Sequence, residues 1–461
     1  MTLKFLKYHK FSILLLLAGI AFYLSFAYAL ERTDFIKLIT LYTALFAVSF
    51  KLIQLEKQNF WILAIAAVIF RLIFIVALPN LSQDFYRFIW DGTLVSEGLN
   101  PYLEVPSQFR NIFPAGAAMQ QKLIDGMGSL SAGNYTSYPP LNQLVFAAAS
   151  WISGKTVLTS VVVMRSFIIA ADLGTLYFGR KLILRLNLPA HRIFWYVLNP
   201  FIIIELTGNL HFEGVMLFFL VWSLYLLHRK RWIASAALLG ISISVKLLPL
   251  LFLPPFLRYF KNPEQEIENI NYSFFQKIDF KRLSGFYLIA LVTAASTFLP
   301  FLSSEFFQNF FQSIGLWFQK FEFNASVFYV LRWIGFKLAG FNIITYAGII
   351  LPIITVIILI WLAFFRRNER FKILMSSMMF GVSVYLFLST TIHPWYLATP
   401  LLLSVFGNYR YVIIWTLVVI LSYSAYDNPQ FDENLWLVTF EYLAVFAVLI
   451  WEILQKKQTT V

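Results

Sequence analysis

The sequence predicts an all-α, polytopic transmembrane protein. Of its 461 residues, 59% are hydrophobic and 13% are charged, and the charged fraction is about half that of a typical soluble domain. Apolar runs near the length of a membrane-spanning helix recur along the chain, without the roughly ten-residue alternation of a transmembrane barrel. The longest runs cover residues 11–30, 61–78, 343–365 and 435–454.

Apolar length and helix-breaking residues together predict about 13 or 14 spans in a single domain covering residues 1–461. Several of these spans are short and carry proline near an end, so we expect some to be tilted, broken or only partly crossing. The spans are residues 11–30, 35–53, 60–78, 157–178, 193–207, 212–227, 232–246, 247–260, 283–301, 342–365, 373–391, 394–406, 411–424 and 435–454.

Basic clusters between the apolar runs predict the orientation. With the N-terminus in the cytoplasm, Arg180-Lys181, Arg229-Lys230-Arg231 and Arg366-Arg367 all fall on the cytoplasmic side, as the positive-inside rule requires. This assignment needs residues 140–153 to form a half-dipping helix that returns to the outer face. Both termini are then cytoplasmic, in a membrane we expect to be a bacterial inner membrane.

The same topology leaves two long external loops, residues 79–156 and 302–341. Loops of this length in a compact protein are usually functional or disordered, and their apolar residues at helical spacing argue against disorder. We therefore expect both loops to be functional.

The net charge of +13 and the absence of cysteine exclude several kinds of function. The basic residues lie in short clusters between apolar runs, which is typical of membrane topology rather than of a nucleic-acid surface. Without cysteine there is no disulfide framework and no thiolate chemistry.

Polar residues collect at the outer side, which predicts an outward-facing site. The members of this set are Asp84, Arg87, Asp91, Glu97, Asn209, His211, Glu213, Lys246, Asn324, Arg332 and His393. In a helix, Asp84, Arg87 and Asp91 share one face, and a carboxylate beside an arginine stays ionised as a general base must. The same spacing also fits an ordinary interfacial helix with an i, i+3 ion pair.

Further candidates each have two interpretations. His211 and Glu213 have a spacing that allows metal ligation, but two ligands do not define a site, and a role in orienting substrate is favoured. Lys246 and Arg332 fit either snorkelling to the interface or pairing with a phosphate. The His393-Pro394-Trp395-Tyr396 run fits an aromatic belt as well as a binding site. Arg71, Arg165 and Asp172 lie within spans, where we favour a structural role.

Several motifs in order resemble the GT-C superfamily of glycosyltransferases, and bacterial polyprenyl-phosphate-mannose-dependent mannosyltransferases most of all. The resemblance extends from Asp84 to Tyr396. Its motifs are Asp84…Tyr86-Arg87…Trp90-Asp91-Gly92, Gly98…Asn100-Pro101-Tyr102, Tyr138-Pro139-Pro140-Leu141, Asn199-Pro200…Glu205…Asn209…His211-Phe212-Glu213, Lys246-Leu247-Leu248-Pro249 and His393-Pro394-Trp395-Tyr396.

The resemblance implies an inverting transfer of a sugar from a polyprenyl phosphate to an extracytoplasmic glycan or lipid acceptor, and it alone indicates that the sugar is mannose. Asp84 corresponds to the acidic base of the first external loop, although here no second acid is adjacent to it and the loop follows the third span. Arg87, Asp91, Asn100, Tyr138, Asn209, His211 and Glu213 are expected to bind substrate, together with Lys246, Arg332, His393, Trp395 and Tyr396.

No metal or other cofactor is expected, because a lipid phosphate already carries its charge at the interface. The competing class is a transporter or flippase of a lipid-linked saccharide. Such a protein usually has repeated halves and a mid-membrane site, whereas this sequence shows no repeat and its polar residues lie on one side.

Overall fold

The computed structural model describes residues 7–110, 112–262, 274–428 and 430–458. Within these ranges the chain forms helices and no regular strand, which confirms the predicted all-α fold. The α-helices are α1 (Lys10–Ala29), α2 (Phe35–Glu56), α3 (Phe60–Leu72), α4 (Asp84–Ser96), α5 (Ala117–Ala132), α6 (Pro140–Ser153), α7 (Val157–Arg185), α8 (Phe194–Val197), α9 (Glu213–His228), α10 (Trp232–Val245), α11 (Phe280–Ser296), α12 (Phe306–Gln319), α13 (Val327–Ala339), α14 (Ile344–Phe365), α15 (Phe371–Phe387), α16 (Ala398–Ser404), α17 (Tyr411–Val418) and α18 (Leu435–Gln458).

The long apolar helices identify this chain as an integral membrane protein. Six helices in the described ranges are long and apolar enough to cross a membrane, and a bent pair raises the number to seven. The six are Lys10–Ala29, Phe35–Glu56, Val157–Arg185, Phe280–Phe301, Ile344–Phe365 and Leu435–Gln455.

Fewer helices reach full length than the fourteen predicted spans, because several apolar runs form shorter pieces. Residues 247–260 hold two 3₁₀-helices, Leu248–Phe252 and Pro254–Arg258, and proline accounts for the interruption. Residues 394–406 likewise begin as the 3₁₀-helix Pro394–Leu397 before α16. The expectation that some spans are broken is therefore correct.

The bent pair joins the π-helix Ile202–Gly208 to α9 at an angle of 111°. A break of this kind exposes backbone carbonyls that have no water to bind inside a membrane. Arg165 supplies the missing donors, with hydrogen bonds of 2.8 Å to the carbonyls of both Thr207 and Gly208. It also donates to the carbonyl of Ala77 at 2.6 Å, so it ties the break to the start of the first long loop.

A buried ion pair supports the same region. Arg71 Nε lies 2.8 Å from Asp172 Oδ2, and both side chains are 1% exposed. Arg71 also donates to the carbonyls of Ala67 and Val197. These contacts support the structural role that we favour for Arg71, Arg165 and Asp172.

The first long loop is largely helical, as its apolar spacing predicts. Helices α4 and α6 pack so closely that a Cβ atom on Gly92 would lie 2.2 Å from the carbonyl oxygen of Phe146. The rings of Phe88 and Phe146 stack with centroids 4.5 Å apart. This contact fixes α4, and with it Asp84 at the helix start.

Candidate functional site

Asp84 is the first residue of α4, and its half-buried carboxylate faces a second loop segment. The phenol of Tyr138 donates a hydrogen bond to Asp84 Oδ2 at 3.2 Å. A carboxylate at a helix N-terminus is stabilised by the helix dipole. The structure thus holds Asp84, the predicted catalytic base, in a defined position beside the Tyr138 phenol.

Lys246 and Glu213 form a charged pair, and both charges act on the Asp84 carboxylate. Lys246 Nζ lies 3.1 Å from Glu213 Oε1, with the side chains 23% and 3% exposed. The ammonium also lies 5.2 Å from the centre of the Tyr138 ring. The second oxygen of Glu213, Oε2, is buried without a hydrogen-bond partner among the described residues. Three predicted site residues therefore meet beside Asp84.

The pKa of Asp84 reflects this environment. Burial raises the pKa of the Asp84 carboxyl, while the Lys246 ammonium and the hydrogen bond from Tyr138 oppose that rise. A general base is most effective when its pKa approaches the operating pH. The site therefore makes Asp84 a stronger base than a free aspartate, with Lys246 and Tyr138 favouring its charged form.

Arg87 and Asp91 belong to a buried network on α4 rather than to the Asp84 cluster. Arg87 Nε lies 2.8 Å from Asp91 Oδ1, in an ion pair of i, i+4 spacing. The i, i+3 ion pair with Asp84, which the sequence also allowed, is not formed. Gln143 donates to the other Asp91 oxygen at 3.0 Å, and Arg87 donates to the carbonyl of Ser131. The network fastens α4 to α5 and α6.

Asn100 also acts through its neighbours. Its amide donates to the carbonyl of Phe301 at 2.9 Å, and its side-chain oxygen accepts a hydrogen bond from the Tyr102 backbone. The Tyr102 phenol then donates to the carbonyl of Tyr138 at 2.7 Å. The Asn100-Pro101-Tyr102 motif therefore positions the tyrosine that contacts Asp84.

Asn209 links the bend before α9 to the start of the first long loop. Its oxygen accepts a hydrogen bond from the backbone of Leu81 at 3.2 Å, and its amide donates to Glu205 at 3.3 Å. Glu205 also accepts a hydrogen bond from the Tyr423 phenol at 2.8 Å. Asn209 thus fixes the backbone three residues before Asp84.

Two imidazoles lie parallel to the indole of Trp395. The centroid distance is 3.6 Å for His211 and 4.5 Å for His393, with interplanar angles of 16° and 3°. Burial lowers the pKa of His393 to about 3, and the Lys246 and Arg32 charges act in the same direction. A neutral imidazole adds flat surface and hydrogen-bonding capacity without charge. Tyr396 lies edge-on to Trp395 and within electrostatic range of Asp84 and Glu213.

Arg332 lies in a different group of residues. Its guanidinium pairs with Glu322 at 2.5 Å and lies over the ring of Tyr329. The Tyr329 phenol donates to Glu433, so this group ties α13 to the segment before α18. Of the two cations proposed for a phosphate, Lys246 contacts the Asp84 cluster and Arg332 is held elsewhere.

Arg32 is a further cation whose charge acts on Asp84, and the sequence alone did not single it out. Its guanidinium carbon lies 3.3 Å from the centre of the Tyr426 ring, and its Nε is buried without a hydrogen-bond partner among the described residues. Its charge lowers the pKa of Asp84, after the effects of burial, Lys246, Tyr138 and Glu213. The available signal was an arginine in the short loop after the first span, on the side where the positive-inside rule disfavours basic residues.

Within the described residues, no group of three or more His, Cys, Asp or Glu side chains is arranged to hold a metal ion. His211 Nε2 lies 3.8 Å from Glu205 Oε2, and Glu213 is engaged with Lys246 instead. Metal-independent transfer remains a prediction.

Two family models match more than half of the chain each. One is described as alpha-(1->6)-mannopyranosyltransferase, N-terminal domain, and it covers residues 9–260. The other is glycosyltransferase family 87, and it covers residues 135–390. Together they include Asp84, Tyr138, Glu213 and Lys246.

Individual relatives agree with the family models. The alpha-(1->6)-mannopyranosyltransferase A of Corynebacterium glutamicum is 26% identical over 189 residues, which is 39% of this chain and 35% of that protein. The enzyme of the same name from Mycobacterium tuberculosis is 24% identical over 173 residues, 37% of this chain and 32% of that protein. The matched segments thus span about a third of each relative. The chain belongs to the alpha-(1->6)-mannopyranosyltransferase family of GT-C-type membrane mannosyltransferases.

Proposed function

We propose that the protein transfers a mannosyl group from a polyprenyl-phosphate donor to a glycan or glycolipid acceptor, with inversion at the anomeric carbon. The observation that carries this proposal is the meeting of Asp84, Tyr138, Lys246 and Glu213 at one place in the fold. A base and a cation side by side are what a transfer from a phosphate-linked sugar requires.

Asp84 is the proposed general base. It removes the proton of the acceptor hydroxyl as that oxygen forms a bond to the anomeric carbon. Burial raises the pKa of Asp84, which brings its basicity closer to that needed for proton transfer near neutral pH. Tyr138 and Lys246 orient the carboxylate and maintain its charged form before the acceptor arrives.

Arg32 and Lys246 are the proposed partners of the leaving phosphate. As the bond between the anomeric carbon and the phosphate oxygen breaks, its electron pair passes to that oxygen. Fixed cations stabilise such developing charge. Lys246 is already paired with Glu213, whereas the Arg32 Nε is buried with an unused donor. Arg32 is therefore our stronger candidate for contacting the leaving phosphate. Arg332, which is paired with Glu322, has a structural role.

The parallel rings of His211, Trp395 and His393 are proposed to shape the sugar pocket. Their flat apolar faces suit the C–H face of a pyranose ring, while Tyr396 supplies a hydrogen-bonding group at the edge and Asn209 holds the backbone before Asp84 in place. Arg87, Asp91 and Asn100 support the site by fixing α4 and Tyr138.

The proposed site faces the extracytoplasmic side, and both termini face the cytoplasm. Because the chain contains no cysteine, single substitutions test this directly. Lys122→Cys on α5 is expected to react with an impermeant maleimide from outside, and Lys372→Cys at the start of α15 only from inside. The reverse pattern would contradict the orientation.

The central experiment measures mannose transfer from a polyprenyl-phosphate mannose donor in membranes. Wild type is compared at matched expression with Asp84→Asn and with Asp125→Asn, which removes an exposed acid of the same loop. We expect donor consumption by wild type and Asp125→Asn and its loss in Asp84→Asn. Equal activity in all three would exclude Asp84 as the base. Movement of an intact lipid-linked saccharide across sealed vesicles, without donor cleavage, would favour the flippase alternative.

A further inference from the structure

A cleft of about 480 Å³ lies far from the proposed active site. It is lined by Arg185, Leu186, Asn187, Arg370, Phe371, Lys372 and Ile373, which come from the end of α7 and the start of α15. Gly214, the neighbour of Glu213, lies against Asp172 near the middle of α7, and Arg185 is 13 residues further along that helix, about 20 Å away. The cleft is therefore separated from the Asp84 cluster by nearly half the length of α7.

The charge of the cleft is strongly positive. Arg185, Arg370 and Lys372 are all exposed, and no acid is among the lining residues. The acid that precedes Arg370 in the sequence, Glu369, is bound to Arg258 Nε at 2.7 Å. It is therefore already neutralised and does not cancel the charge of the cleft.

Apolar surface adjoins the three cations. Leu186 and Phe371 line the cleft and are buried. Immediately before Arg185, Leu184 is 49% exposed, and Tyr177 and Leu173 lie earlier on the same helix with 53% and 41% exposure. The Lys181 ammonium lies over the Tyr177 ring, 4.0 Å from its centre, and adds a further cation beside this strip. Residues at this spacing share one side of a helix, so an exposed apolar strip of α7 leads from the membrane region to the cleft.

We propose that this cleft binds the headgroup of an anionic phospholipid, with the acyl chains along the exposed strip of α7. The cations contact the phosphate, and the acyl chains cover the apolar strip, which a soluble anion would leave uncovered. Basic pockets between transmembrane helices on the cytoplasmic side are suited to anionic headgroups. A free phosphate would use the charges but not the apolar strip, so a lipid is the occupant that the whole surface fits.

The proposal is tested by native mass spectrometry of the full chain in detergent, titrated with dioleoylphosphatidylglycerol or dioleoylphosphatidylcholine. The test variant is Arg370→Gln/Lys372→Gln. The matched control, Lys51→Gln/Lys57→Gln, removes two exposed charges outside the cleft, one on α2 and one directly after its end. We expect wild type and control to retain phosphatidylglycerol in preference to phosphatidylcholine, and the test variant to bind phosphatidylglycerol about 30-fold more weakly.

Equal phosphatidylglycerol binding by the two double variants would overturn the assignment of the cleft. Displacement of the lipid by millimolar inorganic phosphate would overturn the lipid as its occupant. Thermal unfolding of each variant without added lipid shows whether the fold is intact. None of these readouts depends on sugar transfer, so they stay informative whatever the result at Asp84.

Discussion

The phenol of Tyr138 donates a hydrogen bond to Asp84 Oδ2 at 3.2 Å across a stretch of 54 residues. The position of Tyr138 is in turn set by Tyr102, whose phenol binds the Tyr138 carbonyl. This relationship links two short motifs of the first long loop to one carboxylate, and it sets the expected pH dependence of that carboxylate.

Tyr138→Phe is expected to shift the acid limb of the pH profile of kcat/KM upward. Burial already raises the pKa of Asp84, and the Tyr138 hydrogen bond opposes that rise. Removing the phenol therefore raises the pKa further, so the charged base appears only at higher pH. The shift should be about one pH unit, from the usual worth of a hydrogen bond to a charged group. Tyr135→Phe serves as the control, and an unchanged profile in Tyr138→Phe would argue against Asp84 as the titrating base.

Arg32→Gln is expected to lower kcat/KM for the phosphate-linked donor by roughly 10²–10³-fold, as loss of a charge-stabilising donor does in other active sites. Arg32→Lys should recover part of the activity because it keeps the positive charge. The thermal midpoint should fall only modestly, since the substitution loses the stacking on Tyr426 but no hydrogen bond of the Arg32 Nε among the described residues. Equal loss of activity in the Gln and Lys variants would point to the packing of Arg32 on Tyr426 instead of its charge.

Gly92→Ala is expected to destabilise the first long loop. The added methyl group would lie 2.2 Å from the Phe146 carbonyl oxygen, so α4 and α6 must move apart. Overpacking of this kind costs about 1–3 kcal/mol, and the same movement displaces Asp84. Thermal unfolding in detergent measures the first effect, and donor turnover the second. The control is Gly98→Ala, where a Cβ meets nothing within 4 Å, although its positive φ adds local strain. A stable and fully active Gly92→Ala would contradict the close packing of α4 on α6.

Asp172→Asn is expected to lower the unfolding free energy by about 3–5 kcal/mol, because it leaves the buried Arg71 charge without its partner. The double variant Arg71→Met/Asp172→Leu should be less destabilised than Asp172→Asn alone, since it removes both charges. Thermal stability of the purified proteins gives the comparison. If the double variant were less stable than the single one, hydrogen bonds to the backbone would matter more than the ion pair.

The all-α membrane fold followed from the sequence by itself, because apolar runs too long for a soluble protein have few alternatives to helix in a bilayer. The motifs of the glycosyltransferase resemblance could also be recognised in the sequence, whereas the outer position of Asp84 stays a prediction. The sequence did not determine the lengths of the helices, because apolar runs that contain proline, such as residues 247–260 and 394–406, form short helical pieces.

Only the tertiary structure decided which polar residues meet. The spacing on α4 suggested an i, i+3 ion pair of Arg87 with Asp84, whereas in the structure Arg87 pairs with Asp91, to which Gln143 also donates a hydrogen bond. Arg32 acts on Asp84 although it lies 52 positions earlier in the sequence. Arg332, which the sequence placed at the site, is instead paired with Glu322. Periodicity fixes the face of a helix on which a residue lies, but contacts between distant helices depend on packing that no local pattern records.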